Sequence, residues 1–372
     1  MILILKLISR VLLPYLRRQV PRTQGISVPK QLGERAIRTL TSLGLLNHDY
    51  RIQSDDELTI PLTREPDSKE LAILEDILGV TVPLERDFQT REFRPKSLKE
   101  ALTGILPESR LSLLPKSMDI IGQVAIVEIP CGLEEAKSTI GKAVLETHSN
   151  LRTVLAKSGP VTGQLRLREF EVIAGDTNTE TTYKEYECIY LLDPMKVYFS
   201  PRLSTERHRI AQQIAPGETV LDMFAGVGPF SILIAKTQPK AKVYAVELNP
   251  LAAKYFEKNI HLNHVEGRVT PIPGDARHVI QSRLLPKANR VIMNLPETAL
   301  AFIETACQGI GENGVIHYYT FKKGSEALRE AEEEVIQAVI QKGREAVAVE
   351  DSRRVRETAP RTWQVAVDLR IR

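Results

Sequence analysis

Hydrophobic and polar positions repeat along this chain with two different periods, and the places where the period changes set its plan. From Thr219 onward, short apolar runs (TVLD, KVYAVELN, a run closing at Asp275, RVIMNLP and GVIHYYTF) are separated by stretches with helical spacing. That alternation predicts five parallel strands with helices on both faces of one sheet, an α/β doubly wound domain. A charged helix over SEALREAEEEVIQAVIQKG follows. AVAVEDSRRVRETAPRTWQVAVDLRI then reads as a closing hairpin, with a sixth strand parallel and a seventh antiparallel at the edge.

The upstream chain has a different rhythm. Between Ser27 and about Pro83, GERAIRTLTSLGLL has helical spacing, YRIQSDDELTIPL looks like a hairpin, and SKELAILEDILG is a second helix stopping at Gly79. The polar stretch VPLERDFQTREFRPKS has prolines near both ends and reads as a linker. An α+β unit follows, with helices over SLKEALTGI and EEAKSTIGKAVLETH and strands over MDIIGQVAIVEIP, LRTVLAK, REFEVIAG, TTYKEYECIYLLD and MKVYFS. The expected division is an extension at 1–24, a small domain at 25–90, a middle domain at 91–198 and the doubly wound domain at 199–372.

Four consecutive strands of the last domain end on polar groups. The first runs into TVLDMFAGVGPF, where Asp222 precedes a turn holding Gly226 and Gly228, a way of bringing backbone N–H groups up to a ligand at a helix start. Pro229, Phe230 and Ser231 follow, so the third glycine of the dinucleotide fingerprint is missing and pyrophosphate is not the expected guest. The second strand ends at Glu247, about twenty residues on, where a carboxylate can accept from both hydroxyls of a ribose. Asp275 closes the third, and Asn294, Leu295 and Pro296 the fourth. Taken singly, each has a plain structural reading: GxG as a turn, Glu247 or Asp275 as a helix N-cap, Asn-Leu-Pro as a bend. Together they describe a nucleotide-like cofactor lying across the carboxyl edge of an open sheet.

Composition changes this picture little. The 372 residues hold 50 Lys and Arg against 47 Asp and Glu, a net charge of +3 that leans slightly toward an anionic partner. Cys131, Cys188 and Cys307 are three, far apart and without a CxxC, so they form neither a zinc cage nor a disulfide framework, and a reducing, cytoplasmic compartment is expected. The histidines are scattered, and no metal is expected. At the start, Lys6, Arg10, Arg17, Arg18 and Arg22 interrupt an apolar background that has no acid, which excludes stable membrane insertion and a clean secretory signal. An organellar presequence, a membrane-surface helix, a nucleic-acid arm and a dispensable extension all stay open for 1–24.

A seven-stranded sheet with an antiparallel ending is the methyltransferase variant of the doubly wound fold. At this level of detail the chain resembles a known family. FSPRLSTER (199–207), DMFAGVGPFSI (222–232), VIMNLP (291–296) and GVIHYYTF (314–321) are similar to the class I tRNA (guanine-37-N1)-methyltransferases of archaea and eukaryotes. The resemblance covers about 25–372 and implies a Rossmann-like, seven-stranded methyltransferase domain preceded by two smaller α/β or α+β domains. It implies S-adenosylmethionine as cofactor, tRNA as partner through its anticodon arm and body, and a monomer.

Guanine N1 carries a proton, so its attack on a sulfonium methyl needs a base and a cation near O6. The resemblance gives these roles to Glu206 and Arg166, with Asn294 orienting the target base and Pro296 shaping its pocket. Glu206 is also an ordinary acid at a helix start, and which of Arg166 and Arg168 points inward is open. For the cofactor the resemblance implies Glu247 and Leu248 at the ribose, Asp275 and Ala276 at the adenine, and the Asp222, Phe224, Gly226, Gly228 and Pro229 turn at the methionine part. Arg207 and Asn294 go to its carboxylate and methyl end. Arg353, Arg354, Arg356 and Arg361 in the last hairpin, Lys322 and Lys323, and Arg202 and Arg209 are basic clusters available to phosphate. Two alternatives remain: transfer of a 3-amino-3-carboxypropyl group from the same cofactor to a modified tRNA guanine, and an RNA-binding protein without catalysis.

Overall fold

The computed structural model describes residues 23–79, 82–90, 95–162, 167–282 and 285–372. The chain forms two compact units that part at Pro95. In the first, β1 (Thr23–Val28), β2 (Gln53–Ser54), β3 (Leu58–Pro61) and β4 (Val82–Arg86) make a sheet in the order β2-β3-β1-β4. Helices α1 (Gly33–Ser42) and α2 (Ser68–Leu78) lie where the periodicity places them. Asp67 caps α2 by accepting from the N–H groups of Lys69 and Glu70, and the Glu70 carboxylate in turn accepts from the Asp67 N–H. Ile26, Val28, Leu40, Ile60 and Leu74 form the core. The sequence reading missed β1, and it took β4 for linker: VPLER pairs antiparallel with β1 from Thr23↔Arg86 to Ser27↔Val82.

In the second unit, short helices α3 (Leu98–Leu102) and α4 (Glu108–Leu111) precede a sheet of β5 (Met118–Ile121), β6 (Val124–Val127), β7 (Thr153–Thr162) and β8 (Leu167–Gly175), with α5 (Lys137–Thr147) crossing between the parallel pair β6 and β7. Two expected single strands are hairpins. MDIIGQVAIVEIP folds back at Gly122, whose φ of +57° suits a tight turn. TTYKEYECIYLLD folds at Tyr186 and Glu187, both at positive φ, into β9 (Thr181–Glu185) and β10 (Cys188–Leu192). MKVYFS is irregular rather than a strand.

The large sheet contains β11 (Thr219–Asp222), β12 (Lys242–Glu247), β13 (Val269–Pro273), β14 (Ala288–Met293), β15 (Ile310–Lys323), β16 (Ala346–Ala359) and β17 (Thr362–Ile371) in the order β13-β12-β11-β14-β15-β17-β16. The first five strands are parallel, as expected. The antiparallel last strand, expected at the edge, is inserted between β15 and β16, and β16 takes the edge. Burial explains the swap: β17 is buried on both faces from Gln364 to Leu369, with its two polar residues, Gln364 and Asp368, hydrogen-bonded, whereas β16 carries SRRVRE and suits an exposed edge. Around the sheet pack α6 (Ser204–Gln213), α7 (Pro229–Thr237), α8 (Pro250–Leu262), α9 (Ala276–Ser282), α10 (Ile303–Gly309) and α11 (Ala327–Gln341).

No core boundary falls near 198. Ile121, Ile126 and Leu155 of the middle sheet share one apolar cluster with Tyr190, Phe230 and Phe256. β10 is tied to α8 in an unusual way. Asn263 accepts from the Ile189 N–H at 2.8 Å and donates to its carbonyl at 2.6 Å; Asn259 does the same for Leu191, at 2.8 and 3.1 Å. Two asparagines one helical turn apart thus replace a neighbouring strand.

Candidate active site at the carboxyl edge of the large sheet

The turn after β11 is organised from within. Asp222, 1% exposed, accepts from the Ser231 hydroxyl at 2.8 Å and the Phe224 N–H at 3.3 Å. Its burial pushes the carboxyl up to about 7, against the pull of those two bonds. Gly226 and Gly228 take φ of +57° and +89°, and Pro229 opens α7. At the next strand end Glu247 accepts the Gly226 N–H at 2.6 Å and the Asn249 N–H at 2.7 Å. Burial raises this carboxyl too, with the backbone N–H bonds opposing.

These strand ends floor a cavity of about 610 Å³. Phe224, Gly226, Pro229, Glu247, Leu248, Asp275, Ala276, Asn294 and Arg207 line it, as the sequence reading expects. Asp222, Gly228, Pro296 and Glu206 do not. Asp222 acts from beneath, holding the turn. The two glycines have separate reasons: a Cβ on Gly226 would meet no protein atom nearer than the Tyr198 carbonyl at 3.9 Å, so the space above it is open to the cavity. A Cβ on Gly228 would fall 2.1 Å from the Phe256 ring, so that glycine serves helix packing rather than a ligand. Pro296 is buried behind the bend in which the Leu295 N–H bonds the Met293 carbonyl at 2.9 Å.

Several polar groups already have partners. Arg207 is buried, forks onto Glu185 with two bonds of 2.6 Å, and lies over the Phe199 ring. Asp275 holds Arg277 through 2.6 and 3.0 Å bonds, which keep its carboxyl below the usual range. Glu206, 4% exposed, receives Arg209 at 2.7 and 3.0 Å and the Tyr319 hydroxyl at 2.7 Å. Arg209 continues to Asp368, which also accepts from His317 at 2.7 Å. Arg166 lies outside the described residues.

The sequence reading missed Phe302, which packs edge-on to Phe224 at 5.0 Å and carries Arg277 over its face at 5.0 Å. Nothing in TALAF marks it. The sequence reading also gave no site role to Tyr198, Phe199 and Ser200, which with Glu297 form the wall shared with a second cleft of about 410 Å³, lined by Lys157, Arg202 and Arg356 together with Asp119, Glu357 and Phe321. The first cavity combines an acid for ribose hydroxyls, an apolar aromatic slot for a flat ring and open space above Gly226. That donor set fits a nucleoside with a cationic sulfonium.

Family comparison agrees with this geometry. Residues 181–348 match the TRM5/TYW2 methyltransferase domain, 98–179 the TYW2 N-terminal domain and 25–70 the tRNA methyltransferase 5 N-terminal domain. A tRNA (guanine(37)-N(1))-methyltransferase Trm5b of Pyrococcus abyssi is 39% identical over 350 residues, covering 94% of this chain and 99% of that protein. The chain belongs to the TRM5/TYW2 methyltransferase family. A solved complex of aTrm5 and tRNALeu superposes with a TM-score of 0.72 at 33% identity, over 95% of this chain and 100% of that one. The family has a second branch: a tRNA(Phe) (4-demethylwyosine(37)-C(7)) aminocarboxypropyltransferase of Pyrococcus horikoshii is 32% identical over 283 residues, 76% of this chain and 99% of that protein. As a TRM5/TYW2 member the chain has the class I fold expected of it, with the antiparallel strand inside the sheet rather than at its edge. Among the described residues no group of three metal-ligating side chains lies together, and no helix is long and apolar enough to cross a membrane.

Proposed function

We propose that this protein transfers the methyl group of S-adenosylmethionine to N1 of guanosine 37 in tRNA. The observation that carries the reading is the pair of cavities with a common wall at Tyr198, Phe199, Ser200 and Glu297, one suited to the cofactor and the other mixing Lys157, Arg202 and Arg356 with Asp119 and Glu357. The match of residues 25–70 to the Trm5 N-terminal domain supports methyl transfer over the other branch. Glu247 would hold the ribose, the slot between Leu248 and Phe302 beside Asp275 and Ala276 the adenine, and the space over Gly226 the methionine part, near Arg207 and Asn294. The cofactor supplies an electrophilic methyl and needs no metal.

The target guanosine enters the second cleft, flipped from its loop, with Lys157, Arg202 and Arg356 near its phosphate. Asn294 meets the base edge at the junction of the cavities, and Pro296 fixes the bend that carries it. Glu206 takes the N1 proton and Arg166 holds the charge on O6, roles that rest on the resemblance of FSPRLSTER and QLRLREFEVIAG. Glu206 is ion-paired with Arg209 and accepts from Tyr319, and it lines neither cavity, so to take the N1 proton it must turn toward the incoming base.

Transfer of the 3-amino-3-carboxypropyl group stands as the second reading, on the Pyrococcus horikoshii relative. The test is incubation with labelled cofactor and unmodified tRNA transcripts, followed by nucleoside mapping. Methyl label in 1-methylguanosine at position 37 is expected. Label arriving only as the larger group assigns the chain to the other branch, and no label at all leaves an RNA-binding protein.

A further inference from the structure

Gln364 in β17 is 1% exposed, one of two polar residues in the buried stretch from Gln364 to Leu369, and the proposed chemistry gives it no role. Its amide joins two residues that face the cavities. Arg356 donates from Nε to Gln364 Oε1 at 2.8 Å, and Gln364 donates from Nε2 to Asn294 Oδ1 at 3.2 Å. Arg356 is itself fixed by bonds from its other nitrogens to the Ser200 hydroxyl at 2.9 Å and the Tyr198 hydroxyl at 3.4 Å.

The direction of this chain follows from chemistry. A guanidinium has no lone pair, so it can only donate. Gln364 must therefore turn its oxygen to Arg356 and its NH₂ to Asn294, and Asn294 must answer with its oxygen. What Asn294 has left for the cavity is its Nδ2, which has no hydrogen-bond partner among the described residues. An isolated asparagine could present either end.

We infer that Gln364 is a positioning residue that locks Asn294 as a hydrogen-bond donor toward the substrate. A donor at that point suits an acceptor on the target base, as O6 of guanine is, and opposes the amino group that adenine carries in the same place. The inference rests on the methylation of guanosine proposed above.

Gln364→Glu and Gln364→Met test it. The glutamate keeps the shape and the bond from Arg356, but it can only accept, so Asn294 must turn its NH₂ inward and its oxygen to the cavity. Methionine leaves Asn294 free to take either orientation. Turnover on tRNA should fall on the order of 10- to 100-fold in Gln364→Glu and less in Gln364→Met, the range expected for an unmatched buried polar contact. Affinity for S-adenosylhomocysteine by calorimetry should stay within about twofold of wild type in both. Thermal stability should rank the opposite way, because Gln364→Met strands the buried Arg356 Nε.

A merely structural role predicts that activity follows stability, with Gln364→Met the worse variant. That order overturns the inference, as does wild-type turnover in Gln364→Glu or a parallel loss of cofactor affinity. Wild-type protein that leaves no methyl at N1 instead overturns the proposed function, so the two failures are told apart.

Discussion

A carboxylate bonded twice by an arginine and once by a tyrosine, as Glu206 is, contributes to stability whether or not it takes part in chemistry. Glu206→Gln therefore has two separable effects. As a general base its loss should cut single-turnover methylation by roughly 10²- to 10⁴-fold with cofactor affinity intact. As an ion-pair partner its loss should lower the melting temperature. A variant with a reduced melting temperature and a normal single-turnover rate would leave Glu206 a purely structural acid. The glycines separate in degree: at φ of +57° and +89° a side chain strains either, but the Cβ of Gly226→Ala meets no close protein atom, so that variant should fold with some loss of stability and lose affinity for S-adenosylhomocysteine, whereas Gly228→Ala should unfold early because its Cβ also meets the Phe256 ring. Thermal melts and calorimetry on both variants check this. Asp222 sets a pH dependence. Its folded carboxyl titrates at about 7, against about 3.9 in an unfolded chain, so between these values the unfolded state alone has lost the proton. The group's contribution is fully present below about pH 4 and declines as pH rises to 7. Asp222→Asn removes that slope, and its melting temperature should gain on wild type from about pH 5 to 7.5; a constant difference would refute it. The acids and glycine of the cavity floor were legible in the sequence because strand ends in a parallel sheet point their last side chains at one edge. Asp222 was assigned to the ligand and belongs to the turn, since a strand's last residue and the bend after it share the same signature. Phe302 and Gln364 left no signal: both matter through residues distant in sequence.

Among the elements, alternation placed the five parallel strands of the doubly wound domain and the charged helix α11, because apolar runs separated by stretches of helical spacing admit few other folds. Pairing order was less visible. A closing hairpin can leave either strand outermost, and only the buried faces of β17 against the arginines of β16 decide. Turns without a glycine pair were also hidden: Tyr186 and Glu187 at positive φ carry no turn signature, so β9 and β10 read as one strand. The asparagine ladder on β10 is the most exposed to mutation. Asn259→Leu keeps the size but strips the Leu191 N–H and carbonyl of partners, at a cost of about 1–3 kcal/mol for each group left bare. Denaturant unfolding of the variant would measure that loss, and an unchanged midpoint would mean that water substitutes for the amide.

At the scale of the molecule, the middle sheet and the large sheet share a core, while the first 94 residues form their own unit. Residues 95–372 expressed alone should fold and bind S-adenosylhomocysteine as the whole protein does, whereas residues 199–372 alone should aggregate, having lost β10 and its cluster. With the first unit removed, the enzyme should accept an anticodon stem-loop about as well as intact tRNA, while the full chain should prefer intact tRNA through effective concentration. Comparison of kcat/KM for both substrates with both proteins decides; equal preference by the full chain leaves the first unit without a recognition role. The sequence reading sets a boundary at 198 because the strand and helix alternation of the last unit starts beyond it, but apolar contacts that cross such a boundary have no pattern of their own. The asparagines on β10 also bear on how copies of the protein treat one another. A strand with a bare edge offers its N–H and carbonyl groups to any passing chain, and β10 would be such an edge if α8 were not beside it. With Asn259 and Asn263 occupying those groups, no strand from a second copy can add there, and the hairpin stays unable to seed fibrils or exchange strands between molecules.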